Sequence, residues 1–485
     1  MKQLTLKNIC AAVGGVYYGD TDQLDREVSA VTIDSRKVTP DSLFIAVVGN
    51  RSDGHDYILS AYERQALCCL SERVLPQNSY PYIVVPSTYQ ALKDLAEYYL
   101  SQLSVKVIGV TGSVGKTSTK EMIASVLSQK YRVLKTDGNF NNEIGLPLTI
   151  FRLREEHEIA VLEMGISEFG EMSRLTKIAK PHVVVITNIG QCHLENLKTR
   201  DGILKAKTEI FEGLRDNGAI LLNGDDDKLA TIGTVRGITP RFYTLQPEQF
   251  AADSRYTGLA DAIAPHGLLG TACQIHLKQK NAPAETFSVS IPIPGDHMVY
   301  NALAGALAGQ VFGLTDHEIK AGIEALTPVG GRNHIFQSGS YTIIDDCYNA
   351  NPVSMRASID VVCRADGRSV CILGDMFELG ENEKQLHYET GQYLGRQAVD
   401  VLITVGSLSR ELARGAAETG SEHGLEIYSF HTLDELLRQL EQTTLLKPND
   451  TILVKASHGM QFSRIIEFFE KTEAVSYLHS LCLFH

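Results

Sequence analysis

Alternation of β-branched runs with helical stretches predicts an α/β protein in three parts: a small N-terminal α/β domain, a central doubly wound sheet built around a phosphate loop, and a C-terminal Rossmann-like sheet. Three observations predict it. At 485 residues the chain is too long for one ordinary core. The run Val107-Ile108-Gly109-Val110-Thr111-Gly112-Ser113-Val114-Gly115-Lys116-Thr117-Ser118 passes from strand to glycine-rich turn to a helix opened by lysine and hydroxyl residues. Strand-helix alternation stops near Thr327-Pro328-Val329-Gly330-Gly331-Arg332 and then resumes. The boundaries expected are 1–103, 104–328 and 329–485.

Composition narrows the function classes. Hydrophobic content of 44% and charged content of 21% are ordinary for a globular protein. A net charge of −13 argues against a nucleic-acid binder, which needs clustered Lys and Arg to displace counterions. Nine cysteines without a Cys-x-x-Cys pair fit a reducing cytosol better than a disulfide framework or a zinc site. No run approaches the ~20 apolar residues of a membrane span. The apolar stretch after Lys7 has the outline of a signal peptide, but Gly14-Gly15 make it a first helix with a glycine cap. A cytoplasmic monomer without membrane insertion is expected.

From Val28 to about Leu103, short strands such as Ser42 to Val47 and Tyr82 to Val85 alternate with helices. Two polar loops stand out, Asp34-Ser35-Arg36 and Gly49 to Asp56, the second holding His55. Arginine, serine and glycine in loops suit a diphosphate or sugar, although polar surface loops of no function look the same.

The central part predicts strands at Val105 to Val110, Ile159 to Glu163, Val183 to Thr187 and Ala219 to Leu222, with helices from Lys116 and from Ile203 to Leu214. In such a sheet ligands gather at the carboxyl ends of the strands. The glycine turn is expected to cradle a nucleotide triphosphate through Gly112, Ser113, Val114, Gly115 and Ser118, with Lys116 on the phosphates. Strict spacing would put glycine where Val110 stands; the form present is Gly-x-Thr-Gly-x-x-Gly-Lys-Thr. A triphosphate requires Mg²⁺ on hard oxygens, for which Thr117 and Glu163 are suited. Asn139 to Pro147, which includes Asn142, reads as a shaped amide-rich loop or as plain turn chemistry. His193 follows the Val183 strand and is either a ligand or a satisfied polar group. Lys205 and Lys207 are placed at the start of a helix, where cations oppose its dipole.

Strand-like runs from Pro240 to Ile291 suggest an antiparallel addition. A small-residue helix follows, with His297 and Asn301 on one face. In the C-terminal part strands are expected at Tyr341 to Asp345, Ser369 to Leu373, Asp400 to Val405, Glu426 to Ser429 and Thr451 to Lys455. The absence of Gly-x-Gly-x-x-Gly at the first turn disfavours a nicotinamide cofactor. Asp345-Asp346-Cys347-Tyr348-Asn349-Ala350-Asn351-Pro352 and Gly374-Asp375-Met376-Phe377-Glu378 occupy strand ends instead.

Taken in order, the phosphate loop, Asn139 to Pro147, Thr187-Asn188-Ile189-Gly190-Gln191-Cys192-His193, Ala206-Lys207-Thr208-Glu209, Asp345 to Pro352 and Leu373-Gly374-Asp375-Met376 resemble the Mur ligase family. Within it the Tyr-Asn-Ala-Asn-Pro and Leu-Gly-Asp-Met blocks resemble the branch that joins D-alanyl-D-alanine to UDP-N-acetylmuramoyl-tripeptide with ATP. The resemblance implies a UDP-sugar domain, a central ATPase and a C-terminal domain that brings the dipeptide. It further implies ATP and Mg²⁺, with Lys116 on the β- and γ-phosphates and Thr117 and Glu163 on a first metal. His193 and a CO₂-carbamylated Lys207 would hold a second metal. Asn301 would meet adenine, Arg332 and Asp346 the nucleotide, Asn142 the tripeptide, and Ser35, Arg36 and His55 the UDP end. Two blocks depart from the family pattern: His297-Met298-Val299-Tyr300-Asn301 lacks an amide after the histidine, and Lys455-Ala456-Ser457-His458-Gly459-Met460 has histidine where arginine is usual. Rival readings are a diaminopimelate- or lysine-adding or folylpolyglutamate-type ligase of the same fold, or a P-loop switch protein.

Overall fold

The computed structural model describes residues 1–49, 52–75, 80–279, 282–420, 424–442 and 445–471. Asn50 and Arg51 of the second N-terminal loop, and the tail Ser476 to His485, lie outside the described residues. The chain is mixed α/β, and its described strands form three sheets of five, nine and six strands.

The first helix, Leu6–Val13, is capped by the Thr5 side chain at one end and by Gly14, at φ 60°, at the other. In the N-terminal sheet Val16–Tyr18 pairs antiparallel with Tyr82–Val84, and Cys68–Ser71, Leu43–Ile45 and Val31–Thr32 follow in parallel. The helix Thr88–Ser101 joins this sheet to the next. Its buried face shares one apolar core with Leu146, Ile150 and Leu175. Polar ties reinforce the junction: the Tyr99 hydroxyl donates to Leu153 O at 2.7 Å, and Lys93 meets Glu143 at 3.2 Å.

The nine-stranded sheet runs Val133–Lys135, Ile159–Glu163, Lys106–Thr111, Val183–Ile186, Ala219–Asn223, Arg241–Thr244 and Tyr256–Pro265 in parallel, then Thr271–Gln279 and Ala282–Ile291 antiparallel. Lys106–Thr111 lies at the point from which the order runs outward in both directions, so its carboxyl end opens a crevice flanked by Glu163 and Thr187. Successive strand residues face opposite cores. Ala160, Leu162, Val184 and Ile186 join the core shared with the N-terminal sheet, whereas Val161, Val183 and Val185 meet the helices Lys116–Leu127 and Asp296–Val311. Glycines let those helices come close: a Cβ on Gly305 would lie 2.9 Å from Met122 Cγ.

One sequence expectation is reversed here. The helix carrying Lys205 and Lys207 spans Arg200–Thr208, because Thr199 accepts from Gly202 N and starts it three residues before Ile203. Both lysines therefore sit in its last turn, where cations complement the dipole. The stretch beyond tightens into a 3-10 turn, Glu209–Gly213.

The C-terminal sheet has the order His334–Ser338, Tyr341–Asp345, Thr451–Lys455, Ser369–Gly374, Val401–Val405, Glu426–Phe430. All pairs are parallel except the first, a hairpin turned through Gly339 at φ 56°. Neither that edge strand nor the helix 463–471 was expected from the sequence. The sheet has its own two cores, one on each face. Its ties to the central part include polar ones, Asn333 Nδ2 donating to Pro294 O at 2.9 Å and Arg364 pairing with Asp296 at 2.8 Å, and an apolar one, Leu268 packed against its core.

Helix packing under the phosphate loop sets a stability prediction. A Cβ on Gly322 would lie 2.3 Å from Val126 Cα, against backbone that cannot rotate away. Gly322→Ala gains about 1 kcal/mol of helix propensity but is expected to lose about 1–3 kcal/mol to overpacking. The net effect is a lower Tm in thermal unfolding. Gly233→Ala, whose Cβ would meet nothing within 4 Å, is the control and should leave Tm unchanged.

Candidate active site

The phosphate loop is shaped by two glycines. Gly112 has φ 150°, and a Cβ there would lie 1.9 Å from Thr187 Oγ1; Gly115, at φ 78°, opens the helix Lys116–Leu127 without a side-chain cap. The first-turn N–H groups are thus offered to an anion. Lys116 Nζ folds across the loop and donates to Gly112 O at 2.9 Å. Asn188 pins the loop from the neighbouring strand end: its O accepts from Ser113 N and its Oδ1 from Val114 N, both at 3.0 Å. Gly190 N donates to Ser113 Oγ at 2.8 Å.

Beside the loop Glu163 is buried and held by four groups. Thr117 Oγ1 donates to its Oε2 at 2.9 Å, Asn141 Nδ2 donates to its Oε1 at 2.8 Å, Thr136 Oγ1 accepts from its backbone N, and Lys120 Nζ lies 4.0 Å away. Adjacent ligands of an octahedral Mg²⁺ with bonds of about 2.1 Å lie about 3 Å apart, so the Thr117 and Glu163 oxygens are spaced to share one ion. Among the described residues no group of three His, Cys, Asp or Glu side chains gathers to hold a metal. A cation here would therefore draw its remaining oxygens from phosphate and water, as Mg²⁺ does at nucleotide sites.

A cavity of about 480 Å³ extends from this loop to the C-terminal sheet. It is lined by Lys116, Thr117, Ser118, Asn142, Glu163 and His193 on one side and by Arg332, Asp346, Tyr348 and Lys455 on the other, with Asn301 at the same cleft. Asn142 Oδ1 accepts from Gly145 N at 2.8 Å and from Ile144 N, so its amide NH₂ is the group left to donate to a ligand. Asn301 accepts from Thr119 Oγ1 at 2.7 Å, which fixes it against the phosphate-loop helix. The Arg332 guanidinium lies 3.8 Å over the Tyr348 ring. Asp346 is oriented by Lys455 Nζ at 2.5 Å and Ser358 Oγ at 2.6 Å. His193, at φ 53°, has Nδ1 2.7 Å from Glu378 Oε2.

Lys207 lies fully buried in the last turn of its helix. Burial lowers its pKa to about 8; the nearby Cys192 opposes that shift and the ammonium of Lys116 adds to it. Ser35, Arg36 and His55 do not line the cavity. Ser35 is buried in a turn capped by Asp34, and the Arg36 side chain is 84% exposed and pairs with Asp34 at 2.9 Å. The His55 ring is committed within the fold: Nδ1 meets Asp53 at 2.5 Å and Nε2 accepts from Glu72 N at 2.9 Å.

Asn141, Lys120, Tyr348 and Lys455 join the site although sequence reasoning gave none of them a role. Lys455 ends the strand Thr451–Lys455, a position the strand-end rule could have marked. For Asn141 the sequence has no signal, since only the turn decides which of two adjacent asparagines faces Glu163.

Sequence comparison matches three family domains along the chain: the Mur ligase family catalytic domain at 27–100, the Mur ligase middle domain at 110–309 and the Mur ligase glutamate ligase domain at 331–458. UDP-N-acetylmuramoyl-tripeptide–D-alanyl-D-alanine ligase of Bacillus subtilis is 36% identical over 96% of this chain and 98% of its own length. The Escherichia coli enzyme of that name is 33% identical over 97% and 99%. A crystal structure of MurF from Acinetobacter baumannii superposes with a TM-score of 0.85 at 30% identity, covering 96% of this chain and 98% of that one. MurF ligase from Thermotoga maritima, solved in complex with ADP, superposes at 0.78 with 29% identity over 92% and 98%. The matched domains follow one another along the same three sheets, of which the second carries the phosphate loop and the third faces it across the cavity, and the chain belongs to the Mur ligase family.

Proposed function

We propose that this chain is an ATP-dependent, ADP-forming peptide ligase that joins D-alanyl-D-alanine to UDP-N-acetylmuramoyl-tripeptide, the last cytoplasmic step of peptidoglycan precursor synthesis. The observation that carries this reading is the cleft in which a phosphate loop faces Asp346 and Lys455 at strand ends of a second sheet and Arg332 in the turn before its edge strand. The full-length likeness to ligases of that name supports it. A monomer acting in the cytoplasm is part of the same reading, and no described helix is long and apolar enough to cross a membrane.

Amide formation from a free carboxylate in water is uphill, and a carboxylate is a poor electrophile. The tripeptide's terminal carboxylate oxygen attacks the γ-phosphorus and ADP departs. The dipeptide amine then attacks the acyl carbon, the C–O bond to phosphate breaks, and phosphate leaves as the amine loses its proton. Lys116 is released from Gly112 O to follow the β- and γ-phosphates, while the loop N–H groups stabilise charge in place. Asn142 donates to the tripeptide, Asn301 to adenine, and Arg332 and Asp346 hold the nucleotide from the C-terminal side. Thr117 and Glu163 would hold Mg²⁺, which when bound neutralises charge developing on the phosphoryl oxygens. The N-terminal part, 1–103, takes the UDP end, with Arg36 on its surface, Ser35 buried in the same turn and His55 pinning a neighbouring loop.

Lys207 is the lysine that, once carbamylated, would hold a second metal together with His193. Its pKa of about 8 leaves roughly one amine in ten neutral at pH 7, against fewer than one in a thousand for a solvated lysine. The neutral nitrogen attacks CO₂ and loses a proton, so a buried cation becomes an anionic oxygen donor.

Phosphate release from ATP should require both UDP-N-acetylmuramoyl-tripeptide and D-alanyl-D-alanine in a coupled assay; release that ignores the omission of either overturns the ligase reading and favours a nucleotide switch. With a panel of acceptors, a preference for diaminopimelate, lysine or glutamate over the dipeptide would reassign it within the family. Lys207→Ala is expected to lose at least about 100-fold in kcat, the scale of a missing charge-stabilising group, and to regain part of it with added acetate or formate. Absence of rescue would leave Lys207 a structural lysine.

A further inference from the structure

Glu378 has no part in the chemistry above, yet it makes a direct link between the C-terminal sheet and the central site. Its carboxylate Oε2 lies 2.7 Å from His193 Nδ1, with the two side chains 60% and 23% exposed. Both residues are non-glycine and left-handed, at φ 62° and φ 53°. Two such backbones meeting across an interface are held by their surroundings, since neither conformation is intrinsically favoured.

The surroundings on each side are rigid. On the C-terminal side, Met376 N donates to His387 Nε2 and Phe377 N to Ser457 Oγ, both at 2.8 Å. Asp375 accepts from Ser409 N at 2.7 Å. Glu378 is the next residue on this clamped loop. On the central side, the loop from Thr187 to His193 is stitched to the phosphate loop through Asn188 and Gly190. Backbones also approach: a Cβ on Gly380 would lie 3.7 Å from Glu195 N.

We propose that Glu378 is a positioning residue for closure: by bonding to His193 Nδ1 from the opposite domain, it fixes the imidazole with Nε2 left for the cavity and makes completion of the central site depend on docking of the C-terminal sheet. The inference rests on the ligase reading for its kinetic arm alone. With Nδ1 tied to a carboxylate, the ring is held in one orientation and Nε2 is the nitrogen left free. An exposed ion pair is weak, so it shifts the balance between open and docked domains by a few-fold and acts on the chemistry through geometry.

The test uses Glu378→Ala and Glu378→Gln in the full-length protein, because the side chain is exposed enough for both to fold. With all substrates saturating, Glu378→Ala should lower kcat about 10-fold with KM for ATP changed less than about twofold, and Glu378→Gln, whose amide oxygen still accepts from Nδ1–H, should recover most of it. In solution X-ray scattering with a non-hydrolysable ATP analogue, the wild type should contract and Glu378→Ala should contract less. Wild-type kcat in Glu378→Ala, equal impairment in Glu378→Gln, or lost kcat with normal contraction each overturns the proposal. If the wild type itself releases phosphate without the two substrates, the ligase reading fails, and the scattering comparison still decides whether Glu378 controls closure.

Discussion

The buried carboxylate of Glu163 is the constraint around which the central site is arranged. A carboxylate removed from water must be met by donors or a cation, or it protonates. Here the parallel register sets Val110 opposite Glu163, which brings the carboxylate beside the first turn of the phosphate-loop helix. Thr117, Asn141 and Lys120 then satisfy it from three directions. Each of these groups belongs to an element with a separate task, so one charge fixes the helix, the amide-rich loop and the strand end against each other. Preorganisation of this kind lets a site hold a doubly charged ion and a polyphosphate without rebuilding itself at each turnover.

The remaining architecture divides according to how its parts are joined. The N-terminal and central sheets share an apolar core, in which Leu92, Leu95 and Tyr99 pack with Ile150, Leu153 and Leu175. Separating them would expose that surface, which opposes their coming apart. The C-terminal sheet keeps its own cores, and among the described residues no core cluster is shared across its junction, which holds side-chain hydrogen bonds, ion pairs and the packing of Leu268. Polar contacts can break and re-form at small cost, so this junction is the weaker of the two, and it is the one across which Arg332 and Asp346 face the phosphate loop.

Much of this was legible in the sequence where the signal is local. Strand ends and the helices Lys116–Leu127 and Pro352–Val362 follow from β-branched runs, glycine turns and caps, and the strand-end rule points to Glu163 and Asp346, whereas His193 is singled out only by the family resemblance. Less legible were features set by a single capping bond or by a partner distant in sequence. Ile203 begins the apolar run, but the Thr199 cap begins the helix, and that shift of three residues reverses the reading of Lys205 and Lys207 against the dipole. Lys207 next to Lys205 looks like any surface pair; only the packing beneath shows one of them buried. The edge strand His334–Ser338 was missed because it sits in what reads as a linker after Gly330-Gly331.

The glycine missing from the strict phosphate-loop spacing has a structural reason. Val110 is not part of the turn: the strand continues through Thr111, and Val110 pairs with Glu163 on one side and Val185 on the other while its side chain fills the core with Ile108 and Val161. A glycine there would remove apolar contact and relieve nothing. The tight point comes two residues later, where Gly112 passes Thr187 with no room for a Cβ. Moving the constraint from position 110 to position 112 lengthens the strand, which lets Thr187 Oγ1 donate to Val114 O at 2.6 Å and draws the loop toward the strand that leads to His193. The departure from the general motif is thus the feature that couples the phosphate loop to the histidine side of the site.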